Sequence, residues 1–158
     1  MVAAVMIVAA AGVEARAQVA AAPPNMAATT PNRPAAGKGE EAAIRAALQH
    51  YLLGHATGDG AHFRKVFHPE AKLFFVRDGK LTTRTSDEYI AGATGRPAGD
   101  EAQRRRRIET VDVSGNAAVA RIVLDYPSTR FVDYMSMLKI DGEWKIVNKT
   151  FYAEPKAR

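Results

Sequence analysis

The sequence predicts an α+β fold, a curved antiparallel sheet packed on helices that precede it. Three observations carry this. Apolar residues recur at helical spacing between positions 44 and 67. Four β-type runs follow, divided by turn signals at Gly115-Asn116, Pro127-Ser128 and Asp141-Gly142. Between the two regions, Asp78-Gly79 sits at a hairpin position. Helices first and an antiparallel meander after is the α+β order.

Length and composition agree with one domain plus tails. The chain has 158 residues, 47% of them hydrophobic and 25% charged, which excludes full-length disorder. With 0 Cys it has no disulfide framework, thiolate nucleophile or cysteine zinc knuckle. A formal charge of +5 favours anionic partners only through solubility and steering.

Residues 1–17 read as a secretory signal peptide. Val2 to Val13 is unbroken Val, Ala, Met, Ile and Gly, and Ala15-Arg16-Ala17 fits the small-x-small cleavage pattern. The run is shorter than the roughly 20 apolar residues that span a bilayer. No integral membrane segment is therefore expected after cleavage, and the expected location is periplasmic or secreted. Residues 18–39, rich in Ala, Pro, Asn, Thr and Gly, read as a disordered linker. The folded domain is expected over 40–153, with 154–158 as a tail.

Glu40 and Glu41 favour a helix start. Ile44, Leu48, Tyr51, Leu52 and His55 then follow one stripe. At about 100° per residue, His55 lies only ~20° from Ile44 on that stripe. Gly58 ends the helix, and Asp59 caps a second one carrying Phe63, Val66 and Phe67. His68-Pro69 hands the chain to extended structure. Ala71–Arg77 and Lys80–Arg84 form the hairpin around Asp78-Gly79. Thr85 and Glu88 make a capping box for a short helix through Tyr89 and Ile90. Residues 92–103 read as a loop. The meander strands are Arg107–Val113, Ala118–Tyr126, Phe131–Ile140 and Glu143–Tyr152.

With Asp141-Gly142 as a two-residue hairpin loop, Met137 lies across from Ile146, Met135 across from Asn148, and Asp133 across from Thr150. The same logic puts Leu124 beside Asp133 and Ile122 beside Met135. One face then collects Val111, Val113, Ala120, Ile122, Leu124, Phe131, Met135, Met137, Trp144 and Ile146. Asp133, Asn148 and Thr150 are embedded in it, with Glu109, Tyr126 and Tyr152 nearby. An apolar face with a few clustered polar groups is small-molecule pocket chemistry. The other face, which includes Ile108, Val119, Tyr134, Leu138 and Lys149, is expected to be partly exposed or to form a subunit interface. A bulge or slip of one residue would exchange the two faces.

Several stretches resemble the putative lumazine-binding family of the nuclear transport factor 2-like superfamily, which includes SnoaL-like cyclases and ketosteroid isomerase. They are YLLGHATGD (51–59), FHPEA (67–71), RDGK (77–80), GNAAVA (115–120) and, most specifically, FVDYMSMLKIDGEWKIVNKTF (131–151). The resemblance implies a cone-shaped fold in which the bent sheet wraps a long N-terminal helix and encloses a pocket, commonly in a homodimer. It leaves activity open, because this fold hosts enzymes, binding modules and scaffolds.

His55 and Asp133 are the candidate catalytic residues. His55 on the inner stripe is either an acid/base facing the pocket or a histidine hydrogen-bonded at the rim. Asp133 is either a general base raised by apolar surroundings or a structural acceptor bracing the sheet. Tyr51, Met135, Trp144, Asn148 and Thr150 are the candidate ligand-binding residues. No cofactor and no metal is expected, because no phosphate loop or nucleophile elbow appears and His68 with Glu70 lacks further ligands. The run Arg104–Arg107 reads as a solvated strand entry, so nucleic acid is not expected as a partner. Two functions lead, ahead of a protein-interaction module that would use the mixed sheet face. One is an exported, non-catalytic module that binds an unidentified small molecule and dimerises through the outer sheet face. The other is a cofactor-free isomerase, cyclase or dehydratase using Asp133 or His55 as acid/base.

Overall fold

The computed structural model describes residues 37–157. The expected signal peptide and nearly all of the expected linker lie outside these residues. The order is α1 (Gly37–Thr57), α2 (Gly60–Val66), β1 (Phe67–Arg77), β2 (Lys80–Thr85), α3 (Ser86–Ile90), a 3₁₀ turn (Glu101–Gln103), β3 (Arg105–Ser114), β4 (Ala117–Asp125), β5 (Thr129–Ile140) and β6 (Glu143–Pro155). Helix α1 thus begins inside the segment expected to be linker, and β6 runs into the expected tail.

Six strands form one curved sheet in the order β2-β1-β6-β5-β4-β3. The sheet is mixed where an antiparallel one was expected, because β1 lies parallel to β6. That pairing puts the N-terminal hairpin beside the last strand. The turns follow from their residues: Asp78-Gly79 and Asp141-Gly142 all take positive φ, between 51° and 84°, as primed hairpin turns require. Asp59 and Thr85 cap α2 and α3, the latter with both bonds of the capping box.

Helix α1 lies on the inner face of the sheet. Its stripe buries Ile44, Leu48 and Tyr51 against Ala120, Ile122, Met135, Met137, Trp144 and Ile146. Gly54 continues the stripe for a steric reason: a Cβ there would come within 2.6 Å of the Phe63 ring. At the N-terminal half of α1 the interior is filled, with Met135 and Met137 each 1% exposed.

The register departs from expectation at three places. In β6, Ser136 pairs with Asn148 but Met137 pairs with Ile146, so Val147 is an extra residue. This bulge inverts the alternation behind it. Asp133 therefore faces Phe151 and Met135 faces Lys149. Lys149, expected outside, is buried at 4% exposure, while Thr150 is exposed and Asn148 half-buried. A second bulge at Glu109 turns Ile108 toward the core and leaves Glu109 paired with Arg107 and Arg121. Finally, β5 begins at Thr129, so Leu124 pairs with Phe131 and Ile122 with Asp133, two residues from the expected pairing. Tyr152, expected near the pocket, is exposed.

Candidate functional site

The wide end of the inner face carries a buried polar cluster. Its centre is the Tyr51 hydroxyl, one and a half turns before the C-terminus of α1. This hydroxyl donates to Asp133 Oδ2 at 2.6 Å and accepts from Lys149 Nζ at 2.6 Å. Lys149 and Asp133 are themselves 3.1 Å apart. The Tyr89 hydroxyl lies 3.3 Å from that of Tyr51 and 2.8 Å from His55 Nε2. Five side chains from α1, α3, β5 and β6 thus form one connected network, and Asp133 in it is fully buried.

The environment is aromatic. Lys149 Nζ sits 4.9–5.1 Å from the ring centroids of Tyr51, Tyr89 and Phe151, cation–π geometry. Phe63 and Phe67 pack edgewise or tilted on Tyr51 and Tyr89. Burial pushes the Tyr51 and Tyr89 hydroxyls above the usual phenol value, and the nearby Asp133 charge adds to this. Burial also holds the His55 imidazole well below its ordinary value, helped by Lys149, Arg106 and Arg104. His55 is therefore neutral at physiological pH.

A neutral His55 allows one proton arrangement in which every link is made. Nε2–H donates to Tyr89, Tyr89 to Tyr51, and Tyr51 to the Asp133 carboxylate. Nδ1, which has no partner among the described residues, is then a free acceptor. These links make a continuous hydrogen-bonded chain from His55 to a buried carboxylate.

The hydrogen-bonded chain starts at a cleft of about 470 Å³, between the end of α1, α3 and the segment 92–104. His55, Phe63 and Tyr89 line its floor, and Arg84, Arg96 and Arg104 line its walls. Gly58 joins floor and wall: its carbonyl accepts from the Gly95 amide at 2.8 Å, and its φ of 70° admits the backbone of Arg96 where a Cβ would collide. Arg104 stacks its guanidinium 4.2 Å above the Tyr126 ring and bonds Asp100 at 2.7 Å.

The arginine run is tied into the fold. Arg106 bonds Glu101 through two nitrogens, at 2.6 and 2.7 Å, and reaches the His55 carbonyl at 3.2 Å. Arg107 pairs with Glu109, and Arg105 donates to the carbonyls of Ala102 and Arg104. Only Arg104 of the four lines the cleft.

The structure brings together Tyr51, His55 and Asp133 from the expected set. It does not bring Met135, Trp144, Asn148 or Thr150 to the cleft. Met135 is core. Trp144 packs beside the N-terminal half of α1, where its Nε1 donates to Glu40 at 2.9 Å, and it lines a separate cavity with His50 and Lys65. Asn148 and Thr150 are turned away by the Val147 bulge. Sequence reasoning missed Lys149, Tyr89 and the arginines of the walls. One signal for Lys149 was present: Phe151, a large apolar residue, is out of phase with Trp144 and Ile146. Among the described residues no cluster of three or more His, Cys, Asp or Glu could hold a metal, and no helix is long and apolar enough to cross a membrane.

Residues 39–152 match the family described as putative lumazine-binding. The chain is similar to an NTF2-like protein of unknown function from Shewanella baltica OS155, with 29% identity and a TM-score of 0.69, covering 75% of this chain and 97% of that one. It is similar to another from Methylobacillus flagellatus KT, with 28% identity and a TM-score of 0.63, covering 73% and 93%. A curated relative, aldolase FrzH from Cladobotryum, is 23% identical over 116 residues, 72% of this chain and 91% of that protein.

Proposed function

Since the chain belongs to the putative lumazine-binding family within the NTF2-like superfamily, we propose that its domain binds a small anionic carbonyl compound in the cleft and moves a proton on it without a cofactor. The observation that carries this reading is the relay itself, which begins on the cleft floor at His55 and ends at the buried Asp133 carboxylate. His55, neutral with Nδ1 unoccupied, is the base that takes a proton from the carbon beside the carbonyl. As Nδ1 gains that proton, Nε2 passes its own to Tyr89, Tyr89 to Tyr51, and Tyr51 to the Asp133 carboxylate, so the imidazole stays neutral. Arg84, Arg96 and Arg104 hold the carboxylate or phosphate of the substrate. The name of the FrzH relative, an aldolase, supports carbonyl chemistry of this type.

Deuterium exchange tests the reading. Protein in D₂O is mixed with 2-oxo acids and phosphorylated aldehydes, and loss of the α-proton signal is followed by NMR. Wild type should exchange at least one of them, and His55→Gln should exchange it about 10²–10⁴-fold more slowly. Binding by calorimetry with no exchange would overturn the enzyme reading.

That outcome would favour the second reading, a non-catalytic binding module. Its support is the closure of the site: Asp133 and Lys149 are 0% and 4% exposed, as in a pair that braces the sheet. Under either reading we propose an exported protein, on the pattern of residues 1–17, and a homodimer through the outer face, where Val119, Tyr134 and Leu138 are exposed. Detecting a chain that begins at Gln18 in an exported fraction tests the first, and light scattering tests the second.

A further inference from the structure

Lys149 is a nucleophile-type residue in a setting that a purely apolar core would not need. Its amine lies 2.6 Å from the Tyr51 hydroxyl and 3.1 Å from Asp133 Oδ2, inside a cage of three rings. A buried ion pair is weak support for stability, because desolvation offsets most of its attraction. The cage is also one ring below the cleft. Tyr89, whose centroid is 5.1 Å from Nζ, lines the cleft floor and is carried on the five-residue α3. One further atom is unaccounted for: Asp133 Oδ1 is buried with no hydrogen-bond partner. Buried polar atoms normally find one.

We propose that Lys149 forms an imine with the carbonyl carbon of the substrate, a small aldehyde or ketone bearing an anionic group, and that the unpartnered Asp133 Oδ1 is the base for the carbon next to it. This rests on the carbonyl reading of the cleft and, by naming the covalent step, moves proton abstraction from His55 to Asp133, with His55 passing the proton on to the cleft. Lys149 is 4% exposed and does not line the cleft, so the substrate reaches it by displacing the Tyr89 ring that lies between them. Lys149 first passes a proton to Asp133, leaving a neutral amine. The amine adds to the carbonyl carbon, a C–N bond forms, and the carbonyl oxygen takes a proton through Tyr51. The oxygen then leaves as water while C=N forms. In sum, ammonium plus carbonyl give iminium plus water, so atoms and charge balance and no oxidant is required. The Asp133 carboxylate remains as the iminium's counter-ion. Removal of a proton from the adjacent carbon by Oδ1 then gives an enamine and a carboxylic acid. The enamine can attack a second carbonyl or be reprotonated elsewhere, and the Tyr51–Tyr89–His55 chain carries the surplus proton to the cleft.

Burial lowers the Lys149 amine below the ordinary lysine value, although Asp133 pulls the other way. That direction favours the nucleophilic form. The groups facing it are Asp133, Tyr51 and Tyr89, with Phe151 closing the cage.

Borohydride trapping tests the step. Full-length protein is incubated at pH 7 with glyoxylate, pyruvate or glycolaldehyde phosphate, reduced with sodium borohydride, and analysed by intact mass and peptide mapping. The expected product is one adduct per chain, of probe mass less one oxygen, on the Lys149 peptide. Lys149→Arg, which keeps the charge, should lack it and should lose α-proton exchange; Lys145→Arg should retain both. Absence of adduct at Lys149 with all three probes overturns the proposal, as does labelling spread over exposed lysines such as Lys65, Lys72 and Lys80. Exchange that persists in folded Lys149→Arg overturns the imine and leaves the proton-transfer reading standing. Absence of exchange from wild type overturns both.

Discussion

Strand β6 has two halves that meet the same helix and behave differently. Before Val147, Trp144 and Ile146 point inward and complete an apolar core around Ile44 and Leu48. After it, Lys149 points inward and enters a polar network with Asp133 and Tyr51. The extra residue at position 147 decides what each half presents. A single bulge converts the end of a close-packed core into a site. The first half holds the fold, and the second places charge where burial alone would exclude it.

The largest expected effect comes from removing that difference. Deleting Val147 and Asn148 together sets Lys149 directly after Ile146, where strict alternation turns it outward and brings Thr150 inward, leaving the Asp133 carboxylate unpaired. The chain should fail to fold or lose more than about 5 kcal/mol, read by circular dichroism and urea unfolding. A native-like transition within about 1 kcal/mol of wild type would break the comparison.

Next is the ion pair itself. Lys149→Ala or Asp133→Ala should each cost about 3–5 kcal/mol in urea unfolding, because each strands one buried partner. The double variant Asp133→Leu with Lys149→Met should recover that loss and reach wild-type stability, or exceed it by about 1–4 kcal/mol, while abolishing proton exchange. Recovery of stability without activity would show that the second half of β6 serves chemistry rather than folding.

A third effect follows from His55. Its folded pKa lies well below 6.5 because the imidazole is buried, whereas in the unfolded chain it titrates near 6.5. The unfolded state therefore binds more protons as pH falls from about 7 through that range. Stability should drop with falling pH by up to about 1.4 kcal/mol per unit in that window. His55→Gln should flatten the slope between pH 7 and 5 in thermal unfolding; an unchanged slope would remove the argument that the imidazole is neutral. The smallest effect belongs to the first half of the strand. Ile146→Val should cost about 0.5–1.5 kcal/mol with exchange per folded molecule unchanged.

Much of the fold was legible in the chain. The helical stripe, the capping box at Thr85 and both Asp-Gly hairpins follow from local rules that tertiary packing did not override. Asp133 was readable as buried because it is flanked at i+2 and i+4 by Met135 and Met137. What followed Val147 was not legible, since a bulge is stabilised by both neighbouring strands and leaves no composition of its own. Asn148 and Thr150 were misplaced for that reason, and Lys149 was hidden by the same inversion. Tyr89 was located on its helix but not connected to the site, because the parallel pairing of β1 with β6 that brings α3 over the inner face is a long-range event.

The hydrogen bond from Gly95 to the Gly58 carbonyl has a consequence for size selection. It ties the segment bearing Arg96 to the helix end bearing His55, three residues earlier. The span from basic wall to imidazole is then set by peptide groups instead of rotamers, and the cleft acts as a fixed gauge. Molecules whose anionic group and reactive carbon do not match that gauge are excluded by length, whatever their chemistry.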